Sequence, residues 1–289
     1  MNKKESQLQP VVVTGASGRL GNAVIRELES REIPWIGVDS RAEVRFHPSG
    51  EFAMRKADLS DFGACIEVLR YARAVIHLAN HPYPDFELDQ TVFTGNVTIN
   101  YNVFAAAELL GVPRVVWLSS EKASGMPFEL GPPPYLPLSA THPSSPECAY
   151  GLSKRTSETV AGFLSRTVRT SFVGLRAALV QDRRDYAGYA KFQTEPLSRR
   201  WHFWNYIDLE DLARACRLAV EAELSGSHVL HIAAADTVVS TPTIDLVQMA
   251  FGSIPWTGDL KEPFACLADI GAAQLAIGFR PEISWRTSV

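Results

Sequence analysis

A short apolar run, Pro10 to Val13, ends in Thr14-Gly15-Ala16-Ser17-Gly18-Arg19-Leu20-Gly21, and helical spacing begins at once through Leu20, Val24, Ile25 and Leu28. Few segments restrict a fold so sharply. The three glycines serve three geometries: Gly15 permits a tight turn, Gly18 lets the backbone approach a pyrophosphate, and Gly21 lets the helix pack close to the strand. The helix N-terminus offers N–H groups and a positive dipole end, so Ser17, Gly18, Arg19 and Leu20 are expected around an anion. A second strand, Pro34 to Val38, leads into Asp39, 18 residues after Gly21. A carboxylate there would hold the adenosine ribose hydroxyls of a dinucleotide. It also repels a 2′-phosphate, which favours NAD; Arg41, two residues on, leaves NADP open.

The alternation continues down the chain. Helical spacing covers Phe62 to Tyr71, Val97 to Leu110 and Ala149 to Arg166, and apolar strands cover Ala74 to Leu78, Arg114 to Leu118 and Ser171 to Leu175. Short continuous strands between helices predict an α/β fold of Rossmann type, a doubly wound parallel sheet covered on both faces, with a small, discontinuous C-terminal substrate lobe. The division expected is a polar tail over 1–9, a dinucleotide domain over 10–180, and a lobe over 181–289 interleaved with sheet elements returning at about 205–235. Between Gly131 and Pro146 lie six prolines in 16 residues, which predicts a long, stiff loop. A net charge of −4 disfavours binding driven by nucleic-acid phosphates. Four scattered cysteines give no disulfide or zinc pattern, so no metal is expected and a reducing, cytoplasmic setting is the simplest reading. No stretch is long and apolar enough to span a bilayer.

Tyr150 and Lys154 stand at i and i+4, on one helical face. A phenol with a pKa of about 10 is a poor base at neutral pH, and moving it down to about 7 takes roughly 4 kcal/mol of differential stabilisation. A neighbouring ammonium and a cationic cofactor ring act in that direction. Ser119 and Ser120 end the Arg114–Leu118 strand at the carboxyl edge of the sheet, where ligands of doubly wound folds bind.

These residues together resemble the extended short-chain dehydrogenase/reductase superfamily, and within it the NAD-dependent epimerase/dehydratase family. The resemblance extends to Asp58-Leu59, His77-Leu78-Ala79, Asn96, Ser119-Ser120 with Gly125, the segment Asn205-Tyr206-Ile207-Asp208 with Asp211-Leu212-Ala213, and Leu275 to Pro281. It implies Ser120 as the catalytic hydroxyl, Tyr150 as general acid/base, and Lys154 as the residue that binds the nicotinamide ribose and lowers the tyrosine pKa. Asp58 and Leu59 would contact the adenine, Leu78 and Ala79 would line the cofactor cleft, and Asn96 matches an active-site asparagine. A homodimer through the helices at roughly 97–110 and 148–167 is also implied.

The departures bear on substrate. Dehydratases of the family carry Thr-Asp-Glu where this chain has Ser120-Glu121-Lys122, and nucleotide-sugar epimerases carry an Arg-x-x-Asn-x-Tyr-Gly-Pro-like segment of which only Arg176 survives. Only 24 residues, Gln181 to Trp204, build the lobe before the Asn205 segment, with Arg183, Arg184, Lys191, Arg199 and Arg200 among aromatics. Cations beside aromatic rings suit a small-molecule substrate that is anionic or sugar-like. His81, Glu121, Lys122 and Arg176 are the candidate substrate residues, and His81-Pro82-Tyr83-Pro84-Asp85 the candidate wall of the pocket. The expectation is an NAD-dependent oxidoreductase for a small sugar, uronate or related hydroxy compound. The alternatives are a UDP-sugar 4-epimerase with tightly held NAD and a non-catalytic NAD sensor or scaffold.

Overall fold

The computed structural model describes residues 9–46, 52–82, 88–143, 145–167, 169–257 and 262–287. The tail expected over 1–9, Gln9 apart, and the Tyr83–Asp85 part of the expected pocket wall lie outside them. In chain order the strands are β1 (Val11–Thr14), β2 (Trp35–Asp39), β3 (Arg45–Phe46), β4 (Phe52–Lys56), β5 (Ala74–His77), β6 (Arg114–Ser120), β7 (Ser171–Ala177), β8 (Val180–Gln181), β9 (Ile207–Asp208) and β10 (Ser227–Ile232). The principal helices are α1 (Arg19–Ser30), α2 (Phe62–Leu69), α3 (Asp89–Leu110), α4 (Ala149–Leu164), α5 (Leu209–Glu221), α6 (Thr243–Phe251) and α7 (Gly271–Ile277).

The main sheet runs β10-β7-β6-β5-β1-β2-β4-β3, parallel throughout except for the β3–β4 edge pair. Chain direction across the sheet reverses between β1 and β5, so the ligand crevice of such a fold opens at their carboxyl ends. Every residue of β1, β5 and β7 is buried, as a sheet covered on both faces requires. Alternate residues feed opposite layers. Val11, Val13, Ile76, Val116 and Leu175 pack with Val24 and Leu28 of α1 and Leu212 and Cys216 of α5. Val12, Val75, Val115 and Trp117 pack with Phe104 of α3 and Leu164 of α4. Full burial of each large side chain is worth about 1.5–3 kcal/mol. Gly174 makes room for Trp117, whose ring would lie 2.9 Å from a Cβ there.

A third cluster forms the lobe, built on Tyr186, Tyr189, Phe203, Trp204, Tyr206, Val238 and Leu267. The described residues of the proline-rich stretch have neither helix nor strand beyond isolated bridges, but they are stitched into this core: Leu136 and Leu138 are fully buried and bridge Trp256 and Ala268. Two elements differ from the sequence expectation. The helix expected from Val97 begins at Asp89, and its first two turns, polar apart from Val92 and Phe93, bury Val92 and Asn96. Strand β4 was not expected, since Phe52–Lys56 is short and ends in two cations. Among the described residues no helix is long and apolar enough to cross a membrane, and no cluster could hold a metal ion. The four cysteines are free.

Candidate active site

The site begins where β1 turns into α1. Gly15 has φ +68°, and a Cβ on it would lie 2.8 Å from Ala79 N, so the turn after β1 presses directly on the end of β5. A Cβ at Gly21 would meet Gly15 O at 2.3 Å and Ala16 Cα at 2.7 Å, whereas one at Gly18 would meet only Gly15 O, at 3.3 Å. Helix α1 has no acidic residue in its first turn and no side chain capping its N-terminus, which leaves its N–H groups to an outside anion. Gly21→Ala therefore has no relief short of moving backbone. It is expected to cost about 1–3 kcal/mol of stability and to cut dinucleotide affinity more deeply than Gly18→Ala. Thermal melting and fluorescence titration of the two variants, side by side, check this order.

Asp39, 7% exposed, stands at the end of β2, where its Oδ2 accepts from Ser17 N at 3.1 Å and its Oδ1 from Arg41 N at 3.0 Å. The glycine turn and the Asp39 carboxylate are thus locked to each other. The Arg41 guanidinium extends into solvent, its Nε 4.0 Å from Asp39. Arg19, expected at the anion, reaches instead across to the lobe and pairs with Asp182 at 2.9 Å and Asp185 at 2.7 Å. Asp58 is exposed. Hydrogen bonds from Ser60 N and Oγ hold its carboxyl below the usual range, while Leu59 is buried beside it.

Tyr150, Lys154 and Ser120 come together at the carboxyl edge of β6. Cys148 caps α4, its Sγ accepting from Gly151 N, and Gly151 packs so closely that a Cβ would lie 2.6 Å from Lys122 O. This seats Tyr150 over the end of β6. Ser120 Oγ accepts from Lys122 N at 3.2 Å, which leaves its own proton for the hydrogen bond it shares with Tyr150. The Lys154 ammonium lies 5.4 Å from the Tyr150 ring centroid and donates to Asn80 Oδ1 and Leu118 O, both at 2.8 Å. Burial pushes the Tyr150 phenol up to about 12, opposed by the Ser120 hydrogen bond, and pushes Lys154 down to about 7. The expected lowering of the tyrosine by its lysine is therefore not a property of the protein alone. Both groups share one poorly solvated spot, so each resists a charge unless the other carries its opposite.

Several partners here gave no signal in the sequence. Asn80 holds Lys154 and donates to Asn100 Oδ1 at 2.8 Å. Asn100 Nδ2 donates to Ser157 Oγ at 2.7 Å, and its Oδ1 lies 2.8 Å from His77 Nε2. His77 Nδ1 lies 2.7 Å from Thr14 Oγ1, which accepts from Leu78 N and Ala79 N. Burial drives His77 down to about 3, so it stays neutral, accepting from Thr14 and donating to Asn100. A closed polar chain thus ties the lysine to the glycine turn, and such buried networks are rigid when every member is satisfied.

The remaining candidates separate. Asn96 is fully buried and clamps the main chain of His81, accepting from its N–H at 2.7 Å and donating to its carbonyl at 3.2 Å. The His81 ring lies against Gly95, where a Cβ would meet Nε2 at 2.8 Å. Glu121 binds His202 Nδ1 at 2.7 Å, and Lys122 Nζ donates to Trp201 O at 3.2 Å, so both are drawn toward the lobe. Arg176 is not brought to the cleft. It is 2% exposed and forms a two-pronged ion pair with Glu158 at 2.7 Å on each prong, an arrangement set by burial on β7.

The residues fit a dinucleotide: the glycines leave a cradle that side chains would fill, an uncapped helix N-terminus faces it, and Asp39 stands at the ribose end. Comparisons with known proteins agree. A model of the NAD dependent epimerase/dehydratase family matches residues 11–195. The chain is 27% identical over 201 residues to the NAD-dependent glucose-6-phosphate dehydrogenase of Haloferax volcanii, spanning 66% of this chain and 76% of that protein. Its fold is similar to that of MoeE5 in complex with UDP-glucuronic acid and NAD, with a TM-score of 0.70 and 22% identity over 96% of this chain and 95% of that one. A UDP-galactose 4-epimerase has a TM-score of 0.68 at 22% identity, with the same coverage of both chains.

Proposed function

This chain belongs to the NAD-dependent epimerase/dehydratase family, and from that premise we propose that it is a dehydrogenase that oxidises a secondary alcohol or hemiacetal of a small sugar or sugar acid. It is an NAD-dependent enzyme. What supports a small substrate is the lobe. Between β8 and β9 the chain spends its aromatics on its own core, with Tyr186, Tyr189, Phe203 and Trp204 each 1% exposed or less. A lobe filled in this way offers little groove for a nucleotide diphosphate.

The turn from Gly15 to Gly21 and the start of α1 would hold the pyrophosphate of NAD, Asp39 the adenosine ribose, and Lys154 the nicotinamide ribose. Bound there, NAD supplies the hydride acceptor. Ser120 orients the substrate oxygen, and Tyr150 takes its proton onto the phenolic oxygen. Lys154, fixed by Asn80 and Leu118, provides the positive charge that the phenolate needs in a buried setting. The lobe closes the other side of the pocket through the Glu121–His202 and Lys122–Trp201 contacts.

The test is a substrate panel. Purified protein with NAD is offered free sugars, uronates, sugar phosphates and UDP-sugars while absorbance is recorded at the NADH band. Net NADH from a free sugar, uronate or sugar phosphate is the expected result. Redox-silent interconversion of a UDP-sugar would identify an epimerase instead, and silence across the panel would favour a binding protein.

A further inference from the structure

Five cations lie in the 181–204 segment, and the fold treats one of them differently. Arg184 is exposed and pairs with Asp182 at 2.7 Å; Arg183, Lys191 and Arg200 are exposed as well. Arg199 is partly buried, and its Nε and Nη2 are covered with no hydrogen-bond partner among the described residues. Arg176, Arg214, Arg217 and Arg286 each hold a carboxylate at 3.0 Å or closer, and the buried Arg114 donates to the carbonyls of Ala222 and Leu224 at 2.7 and 2.9 Å. A buried donor left unsatisfied is costly, about 1–3 kcal/mol, and calls for an explanation.

Its position supplies one. Residues Pro196–His202 form a 3-10 helix, in which residues three apart eclipse, so Arg199 and His202 share one face, about 6 Å apart along the axis. His202 is the partner of Glu121, the residue after Ser120. Arg199 is thereby carried to the Ser120 side of the lobe. Its guanidinium lies 4.7 Å from the Phe192 centroid and 5.5 Å from that of Trp201, while Lys122 Nζ stands 5.2 Å from the same Trp201 ring. Two aromatic rings hold the guanidinium in place, and a fixed guanidinium presents the two-pronged fork that matches a carboxylate or phosphate. Glu121 and Tyr189 are near enough to act on its charge, and Glu121 Oε2 and the Tyr189 hydroxyl are buried with no hydrogen-bond partner among the described residues. A ligand bearing both an anionic group and hydroxyls satisfies all three.

We propose that Arg199 determines substrate specificity by binding a carboxylate or phosphate on the sugar whose alcohol reacts at Tyr150, with Lys122 beside it and Glu121 Oε2 accepting a sugar hydroxyl. This rests on the dehydrogenase reading above and adds the requirement that the sugar be an anion.

The experiment measures binding apart from turnover. The NAD-loaded protein is titrated calorimetrically with glucuronate, glucose 6-phosphate and glucose, then the titrations are repeated with Arg199→Gln and Arg199→Lys. Loss of a charge-assisted fork is expected to weaken the preferred anion by about 30-fold, with glucose unchanged and the lysine variant in between. Whether glucuronate or glucose 6-phosphate shows the loss tells carboxylate from phosphate. Equal loss for glucose and both anions would mean that Arg199 only supports the lobe, and no loss for either anion would sink the proposal outright. If an anion binds through Arg199 yet no NADH forms, the dehydrogenase reading fails and the anion site stands. If neutral sugars yield NADH and Arg199→Gln changes nothing, the reading stands and the anion site fails.

Discussion

Tyr150→Phe is expected to lower kcat/KM by about 10³-fold, within the 10²–10⁴ range of a positioned general base, while leaving NAD affinity unchanged. The substitution removes one oxygen and keeps the ring, so the 5.4 Å approach of Lys154 and the packing over β6 survive. What disappears is the acceptor for the alcohol proton and the partner of Ser120. The pH profile gives an independent check. Burial holds the phenol at about 12 in the protein by itself, and oxidation needs the deprotonated form. Activity in the oxidation direction should therefore rise with pH across the neutral and alkaline range. Lys154→Met removes the charge that accompanies the phenolate, so its rise should move to still higher pH. A profile unchanged in Lys154→Met would remove Lys154 from the role of counter-charge, and a Tyr150→Phe enzyme that keeps most of its rate would remove Tyr150 from the role of base.

How much of this site is legible in the sequence depends on whether a residue's partner is local. The glycine turn, Asp39, and the Tyr150–Lys154 pair announce themselves because their spacing is fixed by one turn or one helix. Helix α1 begins and ends where the spacing of its apolar residues says it should. Asn80 and Asn100 are silent, and His77 stands out only as part of a matching segment, since their meaning lies in contacts with Lys154 and Thr14 from distant segments. Arg176 misled for the same reason. An arginine at the end of a strand near the cleft suits a ligand, and only the burial of Glu158 opposite shows that its fork is already filled. Arg19 is a milder case, since nothing local told that Asp182 and Asp185 would come within reach. Arg199 could be named in the sequence among five cations and ranked only by the fold.

Arg176→Met is expected to destabilise the protein by about 3–5 kcal/mol, the cost of leaving one member of a buried ion pair alone. At a domain of this size each kcal/mol moves the melting temperature by about 2–4 °C, so a drop on the order of 10 °C follows. Glu158 is the reason for so large an effect. It lies one turn beyond Lys154 on α4, both its oxygens accept from Arg176, and one also accepts from Ser119, the neighbour of Ser120. Arg176 in turn donates to Ser124 Oγ at 3.0 Å and to Ala140 O at 3.3 Å, which ties the proline-rich stretch to the sheet. Removing the arginine leaves a carboxylate buried with only Ser119 and the half-exposed Arg155 to balance it. The double variant Arg176→Met with Glu158→Leu removes both charges and should recover most of the lost stability, because well-packed apolar residues commonly replace a buried pair at little cost. Activity should not return with it. The pair also fixes α4 against β7, and through Ser119 against β6, and without it Tyr150 and Ser120 lose the rigid support that sets their hydrogen bond. Melting curves and kcat for the two variants separate these effects: a double variant as unstable as the single one would mean that the pair's contribution is not charge balance, and one with full activity would mean that Glu158 and Arg176 hold the fold without positioning the site.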